Sequence, residues 1–141
     1  MLAVSSFYRT EPVGFTAQRP FWNAAAAIRW TGSPAALLAA LQDVERRVGR
    51  TKTFRNGPRE IDVDILDFSG KRRARPDPIL PHPRLAERRF ALAPLAEIAP
   101  LWRHPTRGLS ARELLSELPE KPRATRLSSR PRGYSARLPG P

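Results

Sequence analysis

Asp62 and Asp64 stand two residues apart in the stretch N-G-P-R-E-I-D-V-D-I-L-D-F, residues 56–68. Gly57-Pro58 signals a turn, and the residues after it alternate in type. In a strand side chains repeat every two residues, so Ile61, Val63 and Ile65 share one face and Glu60, Asp62 and Asp64 the other. Strand geometry puts the two carboxylates roughly 7 Å apart on one side. They repel each other, and something positive is needed between or above them. A pair of Mg²⁺ ions holding a nucleotide's phosphate chain meets that need, because Mg²⁺ takes one or two carboxylates plus phosphate oxygens and water. Arg59 adds a fixed positive charge suited to phosphate. A half-buried strand with a solvated acidic face would carry the same alternation.

The flanking residues favour the phosphate reading. Residues 49–59, G-R-T-K-T-F-R-N-G-P-R, bring Arg50, Lys52, Arg55 and Arg59 straight into the acidic strand. Cations that grip phosphate oxygens beside metal-bridging carboxylates suit a triphosphate; a solvated basic loop is the plain alternative. Further on, L-P-H-P-R-L (80–85) holds His82 between two prolines in a stiff, non-helical loop. His82 is either structural or, among Arg84, Arg88 and Arg89, a phosphate or nucleotide contact.

These groups need elements to position them. Residues 2–9 read as a strand and Thr10–Pro20 as a loop. Phe21–Trp30 is read as a second strand, although four alanines favour helix by propensity. Asn23, Ala25 and Ala27 then share one face, and Trp22, Ala24, Ala26 and Ile28 the other. The clearest helix starts at Ser33-Pro34, an N-cap followed by a proline at the first helical position. Leu37, Leu38, Leu41, Val44 and Val48 form its apolar stripe, and Gly49 stops it. Gln42 and Glu45 are neighbours on its surface. Ser69-Gly70 turns the chain, and Pro76 and Pro78 keep residues 71–80 irregular or at a sheet edge. A short helix with Leu92, Leu95 and Ile98 ends before Pro100. A last helix, Leu109–Leu118, opens with a capping box, Ser110 and Glu113. The domain is expected to span 1–118, and 119–141, rich in arginine, proline and glycine, to be a disordered basic tail.

With 141 residues the chain has room for one core. It has no cysteine, which removes disulfides and thiolate metal sites. No apolar run approaches the length of a membrane span, and a cytoplasmic monomer is expected. The formal net charge of +12 is nearly all arginine and favours an anionic partner, nucleotide or nucleic acid. No recognition helix or zinc spacing is present, so sequence-specific nucleic-acid binding is not expected.

In order and spacing these segments resemble the 6-hydroxymethyl-7,8-dihydropterin pyrophosphokinases of folate biosynthesis. The resemblance runs from Val4 to about Pro100. It is carried by S-S-F-Y-R-T-E-P-V-G (5–14), F-W-N-A (21–24), V-E-R-R-V-G-R (44–50), N-G-P-R-E-I-D-V-D-I-L (56–66), L-P-H-P-R (80–84) and R-R-F-A-L-A-P-L-A-E-I-A-P (88–100). The pairing of G-P-R-x-I-D-x-D-I with L-P-H-P-R is the specific part. Asn56, where an aromatic often stands, and Pro83 are small departures. The resemblance implies an α+β, ferredoxin-like antiparallel sheet with helices packed on it. It implies transfer of a diphosphate group from ATP to the pterin's hydroxymethyl oxygen, releasing AMP. By position, Asp62 and Asp64 would bind two Mg²⁺ ions. Arg50 and Arg59 would hold the phosphates and stabilise the transition state, assisted by Lys52 and Arg55. Gln42, Glu45, Ile65, His82 and Arg88 would line the nucleotide site. Phe21 and Phe90 would sandwich the pterin ring, Asn23 would bond its polar edge, and the backbone around Thr10, Glu11 and Val13 would complete the pocket.

One departure is large. The family opens with a strand, a G-S-N-type turn and a helix that have no counterpart here. In the ferredoxin-like fold that strand is central, between the aspartate-bearing strand and the strand at 21–30. Each buried backbone group left unpaired costs about 1–3 kcal/mol, against a whole-domain stability of about 5–15 kcal/mol. The chain is therefore expected to be an N-terminally truncated form, marginally folded, with weak or no activity. Two alternatives stand beside the enzyme: a non-catalytic remnant that binds nucleotide or pterin, and a basic nucleic-acid-binding module.

Overall fold

The computed structural model describes residues 1–10, 21–49, 61–120 and 122–127. Among the described residues the architecture is α+β, with small antiparallel sheets and three α-helices. Two compact units interleave along the sequence. The first comprises Met1–Ile28, Ala86–Arg103 and Leu109–Pro141, the second Arg29–Leu85 and His104–Gly108.

In the first unit the expected strand at 2–9 divides into β1 (Ala3–Val4) and β2 (Tyr8–Thr10). The break comes from partners distant in sequence. Ser5 Oγ accepts the Ala25 N–H at 2.8 Å, and the Ser6 N–H donates to Glu97 rather than to a neighbouring strand. A side chain has taken a rung of the ladder, and the chain kinks. The second expected strand likewise forms in two pieces, β3 (Phe21–Asn23) and β4 (Ala26–Ala27). The alanines do not make a helix here, because pairing outweighs propensity. β4 pairs antiparallel with β1, Val4 opposite Ala26. β3 pairs with β2, Tyr8 opposite Asn23 and Thr10 opposite Phe21. From Trp22 to Ile28 exposure alternates residue by residue, with Asn23, Ala25 and Ala27 on the half-buried side.

Helix α2 (Arg89–Ile98) packs across β2, β3 and β4. Leu92 is fully buried on it, with Ala91, Pro94 and Leu95 beside it. Helix α3 (Ala111–Ser116) packs on α2 and buries Ala111 and Leu114. Its capping box forms as expected: Ser110 Oγ accepts the Glu113 N–H at 3.1 Å, and Glu113 Oε1 accepts the Ser110 N–H at 3.2 Å. The stretch expected to be a disordered tail holds a fifth strand, β5 (Ala124–Arg126), antiparallel on the other edge of β2. An open edge supplies the backbone partners that this polar segment has no apolar side chains to compel. Arg89 anchors the chain just before it, donating to the Leu118 and Pro119 carbonyls.

In the second unit α1 (Pro34–Gly49) starts on Ser33, whose Oγ accepts the Ala36 N–H at 3.1 Å. Its Leu37 closes a small core with Ile65 and Leu80, and Leu38, Leu41 and Phe68 pack around it. Val44, expected on the apolar stripe, is exposed: this core covers only the helix's first turns. Residues 61–66 have the alternation of a pleat but form no ladder with another strand among the described residues. Ser69 and Gly70, both at positive φ, turn the chain as expected, with the Gly70 N–H donating to Asp67 Oδ2. The irregular stretch that follows pairs only as a bridge between Arg73 and Leu80. No helix among the described residues is long and apolar enough to cross a membrane.

His104, also in this unit, is buried, and its Nδ1 accepts the Thr106 and Arg107 N–H groups, each at 3.2 Å. Burial, with the Arg107 charge adding to it, holds its pKa below the ordinary 6.5 despite the opposing pull of Asp67. The neutral ring is thus favoured by folding. Its contribution is present above pH 6.5 and is lost as the pH falls below it, where the unfolded chain takes up the proton more readily. Unfolding midpoints measured across pH 5–8 are expected to fall on the acid side, with part of that slope absent in His104→Gln. An identical slope in the variant would contradict this.

Candidate functional site

The residues singled out from the sequence divide between the two units. Asp62, Asp64, Ile65, Gln42, Glu45 and His82 lie in the second; Thr10, Asn23, Arg88 and Phe90 lie in the first. Phe21 is the first residue of β3. Glu11, Val13, Arg50, Lys52, Arg55 and Arg59 lie outside the described residues.

In the second unit exposure alternates through the acidic segment: Asp62 and Asp64 are exposed, Ile61 and Val63 half-buried, Ile65 buried. The apolar face turns to the core and leaves both carboxylates on the solvent side, as the pattern required. Ile65, expected to line the nucleotide site, commits its side chain to the core with Leu37 and Leu80, so its backbone is the part left for a ligand. The L-P-H-P-R loop is tied to this segment by the His82 N–H, which donates to the Leu66 carbonyl at 2.9 Å. His82 Nδ1 accepts the Arg84 N–H at 3.2 Å. In a neutral ring that bond puts the proton on Nε2. On α1, Glu45 is half-buried and Gln42 exposed.

In the first unit the side chain of Asn23 is held in place: its Nδ2 donates to Thr10 Oγ1 at 3.0 Å across the β2–β3 pair. Thr10 is buried, and the bond leaves the Asn23 carbonyl oxygen and a second amide hydrogen for another partner. Phe90 lies in the first turn of α2, immediately after the cap residue Arg88 and Arg89. The Arg88 guanidinium sits over the Phe90 ring, 5.4 Å from its centroid, a cation–π contact. The Phe90 ring, the Arg88 guanidinium and the oriented Asn23 amide thus belong to one unit.

One cluster was not anticipated. Glu97 on α2 accepts the Ser6 N–H at 2.5 Å and the Tyr8 hydroxyl at 2.8 Å, and lies 3.3 Å from Arg126 Nε. Burial works against the charged carboxylate, yet the Ser6 and Tyr8 bonds and the Arg126 charge hold its pKa below the usual range. Burial and the Glu97 bond push the Tyr8 hydroxyl up to about 12. The sequence signal for this cluster was a lone acid within the otherwise apolar run A-L-A-P-L-A-E-I-A-P.

Among the described residues no group of three or more His, Asp or Glu side chains is placed to hold a metal by itself. Asp62 and Asp64 remain as a two-carboxylate set. That suits Mg²⁺ completing its octahedron with phosphate oxygens and water, and does not suit an all-protein cage.

Residues 1–100 match the 7,8-dihydro-6-hydroxymethylpterin-pyrophosphokinase family, and the chain belongs to it. It is 47% identical over 95 residues to a 2-amino-4-hydroxy-6-hydroxymethyldihydropteridine pyrophosphokinase of Bacillus subtilis, covering 67% of this chain and 57% of that protein. A Porphyromonas gingivalis protein of the same name is 41% identical over 109 residues, 74% of each chain. A Pseudomonas aeruginosa protein of that name is 40% identical over 119 residues, 84% of this chain and 73% of its own. The chain therefore spans between about half and three quarters of the length of these relatives.

Proposed function

We propose that the protein transfers a diphosphate group from ATP to the hydroxymethyl oxygen of 6-hydroxymethyl-7,8-dihydropterin, giving AMP and the pterin diphosphate for folate biosynthesis. The observation that carries this reading is the acidic segment. Its Ile65 is committed to the core, Ile61 and Val63 are half-buried, and its two carboxylates are left exposed on the segment tied to the His82 loop, within a chain of the matching family.

The roles follow from charge and geometry. Asp62 and Asp64 would hold Mg²⁺ with the ATP phosphates; the metal supplies charge neutralisation along the phosphate chain. Arg50 and Arg59 bind the phosphates and steady the charge that builds on them, with Lys52 and Arg55 in support. His82, Gln42, Glu45 and the Ile65 backbone would line the nucleotide site, and Arg88 is proposed as a further nucleotide contact. Asn23 reads the pterin's polar edge, its orientation fixed by Thr10, while Phe90 and Phe21 stack on the ring. The backbone near Glu11 and Val13 closes that pocket. No side-chain nucleophile is needed, because the substrate hydroxyl attacks the β-phosphorus and positioning plus charge stabilisation lower the barrier. The small sheets are read as parts of one ferredoxin-like sheet.

The reading is tested by calorimetry of ATP with the 141-residue protein. Binding is expected with Mg²⁺ and not without it, and is expected to be lost in Asp62→Ala/Asp64→Ala. Mg²⁺-independent binding, or binding that survives the double substitution, would overturn the assignment of the metal site.

A further inference from the structure

The family match ends at residue 100, yet β5 is built into the half of the molecule that carries Thr10, Asn23 and Phe90. β5 lies along β2 with Arg126 opposite Tyr8 and Ala124 opposite Thr10. Arg126 Nε donates to Ser6 Oγ at 3.0 Å and stands 3.3 Å from Glu97 Oε1. The same Glu97 carboxylate collects the Ser6 N–H and the Tyr8 hydroxyl. One carboxylate on α2 thus accepts from the kink between β1 and β2 and from β2 itself, and faces the Arg126 charge of β5. Each of those elements leads to a residue of the proposed pterin site. β2 ends at Thr10, which orients Asn23. α2 begins beside Phe90, seven residues or about two turns before Glu97.

We infer that Glu97 and Arg126 are positioning residues for the pterin side of the site. β5 acts as a strap that, through Glu97, holds α2 and β2 in the mutual placement that makes Phe90 and Asn23 one binding surface. This rests on the proposed pterin-binding role of those two residues. A carboxylate with several donors has one favoured geometry, whereas an apolar contact between helix and strand can slide. Tyr8 is 7% exposed and the Glu97 side chain 21%, so this side of the cluster is better shielded from water than the Arg126 side. The Arg126 side chain is 65% exposed, so its ion pair adds little to global stability. That separates positioning from folding: removing Arg126 should disturb the site more than the melting temperature.

The test is steady-state kinetics on Arg126→Met, with Glu97→Gln as the stronger variant and thermal melting on both. In Arg126→Met the KM for the pterin is expected to rise about three- to tenfold, the scale of one ordinary hydrogen bond. The KM for ATP and the melting temperature should stay near those of the parent protein. A pterin KM that does not move, or that moves in step with the ATP KM, would overturn the strap. If the parent protein turns over no pterin, the proposed function fails. The strap is then judged by amide hydrogen exchange at Tyr8–Thr10, expected to quicken in Arg126→Met and unchanged if the strap is wrong.

Discussion

Asp62→Asn and Asp64→Asn are each expected to lower kcat by roughly 10²–10³-fold or more, the loss that follows removal of one preorganised charge-stabilising group. Asparagine keeps the volume and one acceptor oxygen but removes the negative charge, so it cannot neutralise a divalent ion against a phosphate chain. The double substitution is expected to remove activity altogether rather than to multiply the two losses, because the carboxylates act as one unit. The effect should be chemical and not structural. Both side chains are exposed, and surface replacements generally change stability by only about 0.5 kcal/mol. Rates measured over a Mg²⁺ titration, with unfolding curves alongside, check both halves. A variant that lost activity only by unfolding would refute the assignment.

The second large effect concerns folding. Leu92 is fully buried in the middle of α2, the helix that spans β2, β3 and β4 and carries α3 on its other side. Leu92→Ala is expected to cost about 2–5 kcal/mol, the lost transfer energy plus the cavity left behind. Set against a typical total of about 5–15 kcal/mol, such a loss would leave a substantial unfolded fraction at 37 °C. Leu101→Ala makes the control: Leu101 is 93% exposed and its truncation should be silent. Urea unfolding of the two variants decides the point; similar midpoints would mean that α2 is not the keystone of the first unit.

The parts of the molecule legible in the sequence are those written in periodicity. The two-residue alternation at Ile61–Ile65 foretold which side faces the protein; at Trp22–Ile28 it foretold the two faces, even where the alanines argued for helix, but not that Trp22 and Ile28 would stand on the exposed one. α1 and α3 were legible through Ser33-Pro34 and the Ser110–Glu113 box, because caps are local chemistry. What escaped depended on partners distant in sequence. The first strand breaks at Ser5 and Ser6 only because Ala25 and Glu97 stand where they do. β5 has no apolar pattern of its own and exists because β2 offers it an edge. Ile65 was read as a nucleotide contact from its place in the motif, while the core around Leu37 claims its side chain. The basic loop at 50–60, named from its charges, lies outside the described residues, so Arg50 and Arg59 stand on sequence alone.

The central claim is that a diphosphate moves as one piece from ATP to a pterin alcohol. Its most direct test supplies ATP labelled at the β-phosphorus, with Mg²⁺ and 6-hydroxymethyl-7,8-dihydropterin, and follows the label and the nucleotide together. The account predicts label in the pterin product, one unlabelled AMP for each molecule formed, and neither when the pterin is withheld or both Asp62 and Asp64 are replaced. The rate is expected to be slow, since Ile61–Leu66 has no paired strand beside it among the described residues. Label that stays in ATP, or that appears as ADP with no pterin product, would contradict the account.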